Sequence, residues 1–387
     1  MKRLLVVLLA LSLFGGMAAA QDDTIRLGVN LELSGRFAVL GGTSLEGVEA
    51  AHQQNPTING IPVELSVCDN ASTVEGSVAC ANRFIDEGVL AVIGPISTTH
   101  AIPAAQPLQD AGIIMISNGS TNPATTQVGD YIFRMTYTDD YQGRLAARYL
   151  AEDRGFERVA IFRQQDDDYS FGLANFFDEE FRALGGETII LDYVSFTVDF
   201  SAQISDVQGF NPDGFYFSGF CAEGASLIPQ LRGQGYDQLV IGADAADDSQ
   251  CPEAGGEAFD GFMFTGFGTA AVLEGDAAVR AAEFEEFFRE AMPQATDFNG
   301  WTLSGADSFN ALQAAIEAAD STDVVAVRDA LQALDGYPGV SGDITFAGTD
   351  GTPADRMIAF FELHVPGEDG EAWSTSELFG ISTTGAE

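Results

Sequence analysis

The stretch Ala91-Val92-Ile93-Gly94-Pro95-Ile96-Ser97-Thr98-Thr99-His100 decides the fold of this chain, and Ile113-Ile114-Met115-Ile116-Ser117-Asn118-Gly119-Ser120-Thr121 repeats its pattern. In both stretches a short apolar run ends in small, hydroxylated residues. Apolar runs of this kind are typical of strands buried in a parallel sheet. The repetition therefore predicts an α/β protein in which two neighbouring parallel strands end in Ser/Thr-rich loops that lead into helices.

The ends of these two strands predict a binding site for a carboxylate, because ligands of open parallel sheets bind outside the carboxyl ends of the strands. Hydroxyls and free backbone N–H groups would surround one point. A helix that begins near Thr98 or Thr99 would add the positive end of its dipole. Taken singly, each turn is explained more simply by a Ser or Thr that caps a helix. We expect His100, in the first helical turn, to lie at the surface.

Strands and helices alternate along the whole chain, whose 387 residues suffice for two medium domains. Two successive sets of βα units, each long enough for its own sheet, predict two doubly wound, Rossmann-like lobes. Three helical stretches and two strands follow them. If the late helices return to the first lobe, several crossings join the lobes and a cleft lies between them, which is the geometry of a hinge protein.

The N-terminus has the features of a secretory signal peptide. Lys2 and Arg3 precede an apolar segment, residues 4–14, and Ala18-Ala19-Ala20 fits the small-residue rule for cleavage. This predicts a signal peptide at residues 1–20, a mature chain that begins at Gln21, and a soluble protein exported to the periplasm. A retained membrane anchor is the less favoured alternative, because the apolar run is short.

Four cysteines in an exported chain indicate disulfides, for which three pairings are possible. The local pairs Cys68–Cys80 and Cys221–Cys251 are the simplest choice. Four free buried thiols fit an oxidising compartment less well. A metal site is not expected, because the three histidines show no ligand spacing.

The formal charge is −41, from 58 acidic and 17 basic residues. Removal of residues 1–20 takes away Lys2 and Arg3, which leaves −43 and makes every remaining base an arginine. Such a surface repels nucleic acid and anionic membranes. Because salt screens the self-repulsion, we expect a protein adapted to saline surroundings.

Three residues after later strands are candidates for the second wall of a site. Asp244 follows the strand-like run 239–241, where its carboxylate would pair an ammonium or cap a short helix. Tyr169 and Phe220 also follow strands, where they would wall an apolar pocket or form ordinary core contacts. The triplet Asp166-Asp167-Asp168 lacks the Gly and Glu spacing of a calcium loop, so a solvated loop is expected.

No catalytic pattern is found in the sequence. Gly-x-Ser-x-Gly and P-loop motifs are absent, and no Ser or Cys has a His at a suggestive spacing. We therefore expect neither enzymatic activity nor a cofactor. An exported amide hydrolase would need a nucleophile and a base that this pattern does not supply.

Five motifs occur in a characteristic order: Ser34-Gly35, Gly94-Pro95-x-Ser97-Thr98, the loop 117–121, Phe133-Arg134 and Asp168-Tyr169-x-x-Gly172. With the signal peptide, this ordered set resembles the branched-chain amino-acid (leucine/isoleucine/valine) substrate-binding proteins of ABC importers, which are type I periplasmic binding proteins. The resemblance implies two lobes joined by three crossings that close over a ligand. Lobe 1 would hold residues 21–137 plus 267–344, and lobe 2 residues 138–266 plus 345–387.

The resemblance also implies roles for individual residues. The ligand carboxylate would be held by Ser97, Thr98 and Thr121 and by backbone groups of Gly119, and Ser120 would also belong to the ligand-binding site. Tyr169 would contact the ligand, and Asp244 would pair its ammonium where relatives often carry Glu. Leu40 and Phe220 stand at wall positions that are often Tyr, which makes the pocket slightly more apolar.

The function implied is capture of an amino acid, aliphatic or otherwise apolar, and its delivery by a monomer to the membrane permease of an ABC importer. The alternative is a sensor that binds an amide, urea or aromatic acid and presents its closed form to a signalling receptor.

Overall fold

The computed structural model describes residues 24–248, 250–295, 297–364 and 374–382, with backbone alone for 374–379 and 382. The predicted signal peptide, residues 1–20, lies outside the described residues.

The first half of the chain forms a six-stranded sheet in the order β2-β3-β1-β4-β5-β6. Its strands are β1 (Ile25–Leu31), β2 (Thr57–Ile58), β3 (Ile61–Asp69), β4 (Ala91–Ile93), β5 (Ile114–Ser117) and β6 (Ile132–Arg134). All neighbours are parallel except β2 and β3. The apolar strand β4 and the strand β5, which is apolar up to its last residue Ser117, are fully buried, as expected for strands covered by helices on both faces.

A second, seven-stranded sheet has the order β15-β14-β11-β10-β9-β7-β8. Its strands are β7 (Arg158–Gln164), β8 (Glu187–Tyr193), β9 (Gly214–Phe217), β10 (Val240–Gly242), β11 (Met263–Phe267), β14 (Met357–His364) and β15 (Ser374–Ser382). The strands β7 to β11 are parallel to one another, whereas β14 pairs with β11, and β15 with β14, in antiparallel fashion. A small hairpin, β12 (Tyr337–Gly339) and β13 (Gly342–Ile344), is separate from both sheets.

Eleven α-helices are described in the ranges given above. They are α1 (Ala38–Gln54), α2 (Val74–Glu87), α3 (Thr98–Ala111), α4 (Asp139–Arg148), α5 (Asp168–Ala183), α6 (Ser201–Val207), α7 (Cys221–Gly233), α8 (Gln250–Gly255), α9 (Gly275–Ala291), α10 (Gly300–Ala319) and α11 (Val324–Gln332). A π-helical turn, Tyr149–Asp153, extends α4. Among the described residues, no helix combines the length and the apolar character needed to cross a bilayer.

The late helix α10 returns to the first half of the molecule, where it packs against α1. The two helix backbones touch: a Cβ on Gly47 would lie 2.0 Å from the carbonyl oxygen of Thr302, and one on Gly305 would lie 2.3 Å from that of Ser44. Only glycine permits this approach. Since β11 and β14 belong to the second sheet, the chain crosses three times between the halves, after β6, after β11 and before β14.

The expected fold class, two doubly wound α/β lobes joined by three crossings, is thus confirmed. The residue boundaries of the lobes given above stay a prediction.

The structure forms both of the expected local disulfides. Cys68 on β3 is bonded to Cys80 on α2, with 5.8 Å between their Cα atoms. Cys221, at the first residue of α7, is bonded to Cys251 on α8, with a Cα separation of 5.0 Å. Each bond therefore fastens two neighbouring elements of the same half.

Candidate functional site

The turns that follow β4 and β5 meet at one edge of the first sheet, because the two strands pair in parallel with Ile93 opposite Ile116. Ser117 Oγ donates to the carbonyl oxygen of Pro95 at 2.6 Å and accepts from the backbone N–H of Ser120 at 2.9 Å, which joins the turns. Ser97 precedes α3, and its buried hydroxyl has no hydrogen-bond partner within the described part of the chain. A free hydroxyl next to a helix N-terminus is suited to an anionic group.

The other hydroxyls of these turns bind one another. The hydroxyls of Thr98 and Ser120 lie 3.0 Å apart, and that of Ser120 lies 2.6 Å from that of Thr125. The buried guanidinium of Arg134 donates to the carbonyl oxygens of Ser120 at 2.9 Å and Asn122 at 2.8 Å. These bonds fix the loop, so Ser120 supports the site from behind.

A buried carboxylate that the sequence did not reveal holds the first turn. Glu32 accepts the backbone N–H groups of Ile96 and Ser97, each at 3.2 Å, and its Oε1 lies 2.8 Å from Nδ1 of His100. The expectation that His100 lies at the surface was wrong, because its ring is buried against Glu32. The turn is therefore fixed before any ligand arrives.

Asp244 faces these turns from the second sheet. It follows β10 at the start of a 3₁₀ turn, is 2% exposed, and accepts at Oδ1 from the Tyr169 hydroxyl at 2.7 Å and from Nε2 of Gln142 at 2.8 Å. The side chain of Asp244 therefore does not cap the short helix that follows, which was the alternative role expected from the sequence. Burial raises the pKa of Asp244 to about 7, although the Tyr169 hydrogen bond opposes the shift. A cation beside Asp244 would remove the cost of ionising it.

A second buried acid, Asp139, lies behind Asp244 at the start of α4. Burial first, and then the charge of Asp244, raise the pKa of Asp139 well above its usual range. The hydroxyl of Thr121 opposes this shift by a hydrogen bond to Asp139, whereas the buried hydroxyl of Tyr216 has no hydrogen-bond partner in the regions described. The raised pKa favours a neutral Asp139, so the demand for positive charge at this place comes from Asp244.

Aromatic rings from both halves complete the wall. The ring centroids of Phe37 and Phe220 are 4.6 Å apart, and those of Tyr169 and Phe220 are 5.4 Å apart. Trp301, near the start of α10, donates its indole N–H to the carbonyl oxygen of Asp247 at 3.1 Å. A side chain on Gly119 would collide with Trp301 and Ile96, which explains glycine there.

These residues surround a cavity of about 300 Å³, a volume that includes open solvent at its mouth. Its lining residues are Phe37, Leu40, Ile96, Ser97, Thr98, Gly119, Tyr169, Phe220, Asp244, Ala245 and Trp301.

Hydrogen bonds between the two halves close the cleft over this space. Arg36 donates to Gln164 Oε1 at 2.8 Å and forms an ion pair with Glu223, whose side chain is 1% exposed. On another side, the Thr99 hydroxyl donates to Asp167 Oδ2 at 2.8 Å and accepts from the backbone N–H of Asp168 at 3.0 Å. The structure therefore represents the closed arrangement of the two halves.

Six of the eight residues expected in the site line this single cavity: Ser97, Thr98, Gly119, Tyr169, Phe220 and Asp244. Ser120 and Thr121 lie behind it. The sequence reasoning missed Phe37, Ile96, Ala245 and Trp301 in the lining. It also missed Glu32, which holds the Ser97 turn, and Gln142, which donates to Asp244. Phe37 lies two residues after the Ser34-Gly35 motif, which offered a signal, but nothing local marks the others.

No cluster of three or more His, Cys, Asp or Glu side chains suited to a metal ion is found among the described residues. In the acidic triplet, Asp166 accepts the backbone N–H of Ser195, and Asp167 caps α5 and is buried rather than solvated.

Closure of one doubly wound half against another over a shared cavity is the architecture of type I periplasmic binding proteins, which bind ligands and are not enzymes. The chain belongs to the periplasmic binding protein family, whose model matches residues 24–368.

The similar proteins confirm the resemblance to the branched-chain amino-acid binding proteins. Leu/Ile/Val-binding protein homolog 1 of Brucella abortus is 30% identical over 88% of this chain and 90% of its own length. Homolog 2 from the same organism is 29% identical over 95% of this chain and 96% of its own. The crystal structure of the leucine-binding protein LivK of Thermotoga maritima is 29% identical and superimposes with a TM-score of 0.85, covering 92% of this chain and 98% of that one.

Proposed function

We propose that this protein captures an α-amino acid with an apolar side chain between its two lobes and delivers it to the membrane permease of an ABC importer. One observation carries the proposal: Ser97 and the N-terminus of α3 face Asp244 across a single cavity, and the two groups come from different sheets. A zwitterion presents matching charges at its two ends. The names of the similar proteins support an amino acid as the ligand.

The carboxylate end of the ligand lies at the first lobe. The unpartnered hydroxyl of Ser97 donates to it, and the first backbone N–H groups of α3, which have no acceptor inside the helix, point the same way. Because Glu32 already holds the turn in place, these donors need no reorganisation when the ligand binds.

The ammonium end lies at the second lobe, against Asp244 and the hydroxyl of Tyr169. In the empty closed protein, a buried carboxylate without a counter-charge is costly, as its raised pKa shows. An ammonium removes this cost only when the lobes are closed, because its contacts to Asp244 and to the Ser97 turn must form together. The ligand therefore shifts the equilibrium between open and closed forms toward closure.

The side chain of the ligand lies against Phe37, Leu40, Phe220 and Trp301. Burying an aliphatic side chain contributes about 1.5–3 kcal/mol. Micromolar affinity needs roughly −8 kcal/mol in total. The ion pairs and hydrogen bonds of the ligand carboxylate and ammonium supply the rest of this free energy, and they must also offset the entropy lost on binding.

The setting of the protein belongs to the same proposal. We take residues 1–20 as a signal peptide, residues 21–137 plus 267–344 as lobe 1, and residues 138–266 plus 345–387 as lobe 2, in a periplasmic monomer. The two disulfides fit an oxidising compartment.

Titration calorimetry of the mature chain at high salt tests the ligand assignment. L-leucine is compared with two analogues that each lack one end: 4-methyl-2-oxopentanoate, without the ammonium, and 3-methylbutylamine, without the carboxylate. We expect both analogues to bind at least about a hundredfold more weakly than an apolar amino acid. If no amino acid binds, or if an analogue binds equally well, the assignment is wrong. Loss of uptake of the ligand after deletion of the gene tests the transport role.

A further inference from the structure

A second cavity adjoins the proposed ligand cavity. Its volume is about 570 Å³, including open solvent, and it shares the lining residues Phe37, Leu40, Phe220 and Ala245 with the first cavity. Its other lining residues are Arg36, Cys221, Ala222, Asp248, Gln250 and Ala254. We call this space the outer chamber and the first cavity the inner chamber. The outer chamber is the larger of the two, so most of the free volume near the site lies outside the inner one.

The four shared residues form the partition between the chambers. Phe37 and Phe220 form a ring pair there, and the aliphatic side chain of Leu40 and the methyl group of Ala245 complete the partition. Leu40 stands where the resemblance would place a tyrosine, and Ala245 offers only a methyl group. A ligand whose carboxylate is held at Ser97 and whose ammonium is held at Asp244 would direct its side chain toward these four residues.

The chemistry of the outer chamber selects for a neutral group. Its floor is apolar, and the guanidinium of Arg36 stacks on Phe220 with 4.6 Å between its central carbon and the ring centroid. The charge of Arg36 is already paired with Glu223, so a second carboxylate gains little there and would approach Asp248. Nε of Arg36 is nevertheless buried, and no described residue accepts a hydrogen bond from it. A neutral acceptor at the far end of a ligand would satisfy this donor.

We propose that the ligand is an α-amino acid whose neutral side chain is longer than that of leucine and extends past Phe37 and Phe220 into the outer chamber. A ring or a thioether chain fits the apolar floor, and a terminal hydroxyl or carbonyl accepts from Nε of Arg36. The inference rests on the proposed function, because it takes the zwitterion to be anchored at Ser97 and Asp244.

Calorimetry with valine, leucine, phenylalanine, tyrosine and glutamate tests the proposal. Phenylalanine and tyrosine should bind at least tenfold more tightly than valine, tyrosine should bind more tightly than phenylalanine, and glutamate should bind most weakly. Equal or tighter binding of valine and leucine would overturn the proposal and leave the proposed function intact. If none of the five binds, the proposed function fails as well.

Two variants fill the outer chamber without touching the inner one. Ala222→Phe and Ala254→Phe each add a ring at an exposed position of the chamber wall, where the fold tolerates added volume. Each should weaken the binding of phenylalanine and tyrosine at least tenfold and change that of valine less than threefold, so valine serves as the internal control for folding. If both variants bind phenylalanine as the wild type does, the side chain does not enter the outer chamber.

Discussion

Replacing Asp244 by Asn tests the ammonium end of the proposed site most directly. Asn has nearly the same shape and keeps the Oδ1 acceptor for Gln142 and Tyr169, so the closed fold is preserved while the charge is lost. Breaking a buried ion pair by removing one partner costs about 3–5 kcal/mol. We therefore expect Asp244→Asn to raise the Kd of the amino acid more than about a hundredfold.

The raised pKa of Asp244 adds a pH dependence with a definite sign. The ammonium requires the ionised carboxylate, whereas the empty protein holds the proton up to a pKa of about 7. Below that value binding must release the proton, so affinity falls by up to tenfold per pH unit and is about a hundredfold lower at pH 5 than at pH 8. Asp244→Asn should bind weakly at every pH, without this slope.

The stability of the empty protein should decrease as pH rises, whereas its affinity for the ligand should increase. The folded pKa of Asp244 lies above the unfolded value of 3.8, so this group stabilises the closed fold at low pH and loses that contribution as pH rises to about 7. The full difference is about 4 kcal/mol, as an upper bound. Asp244→Asn avoids the cost of a buried charge and should melt at or above the wild-type temperature at pH 8.

Calorimetry from pH 5 to pH 8, in pairs of buffers that differ in ionisation enthalpy, measures both Kd and proton release. At pH 6 the wild type should release close to one proton per ligand, and Asp244→Asn none. Thermal melting of both proteins controls for folding. Wild-type affinity that is equal at pH 5 and pH 8, or an Asn variant that binds like the wild type, would refute the reasoning.

Three further predictions concern the opposite end of the ligand, the closure of the cleft and the surface charge. Ser97→Ala should weaken binding about 10- to 100-fold in calorimetry, through loss of one hydrogen bond to a charged group, whereas Ser120→Ala should lower the melting temperature and leave Kd within about threefold. Arg36→Gln leaves Glu223 buried without a counter-charge, so it should favour the open form, seen as a larger radius of gyration in X-ray scattering. Adding Glu223→Gln to the same chain should reverse most of this increase, and an unchanged radius of gyration in both proteins would contradict the closure argument. Finally, the melting temperature should rise between about 0.1 M and about 1 M NaCl, as the Debye length shortens from about 10 Å to about 3 Å, and equally in KCl; a flat curve would exclude self-repulsion as a major term.

The fold was predictable because it depends on local and periodic features. The apolar runs before Gly94 and Ser117 identify two buried strands, and the hydroxylated residues after them mark the edge at which ligands of such sheets bind. The placement of Asp244 near this edge followed from the same rule, applied to the second sheet. Each inference used only the residues that adjoin one strand.

The supports of the site could not be predicted in this way, because they join residues that are far apart in the chain. Glu32 bonds to the N–H group of Ser97 across 65 positions, and Arg36 reaches Glu223 across 187. Nothing in the neighbourhood of either acid distinguishes it from the many acidic residues of the surface. Thr121 shows a second limit: the sequence located its loop, but its hydroxyl bonds to Asp139 instead of lining the cavity.

The indole of Trp301 has a practical consequence for work with this molecule. It forms part of the cavity wall and donates to Asp247 on the opposite half, and the only other tryptophan of the chain, Trp373, lies outside the described residues. Separation of the halves exposes this ring to water, and a bound molecule shields it. The chain thus carries a built-in optical probe, whose emission can follow each titration without any attached dye.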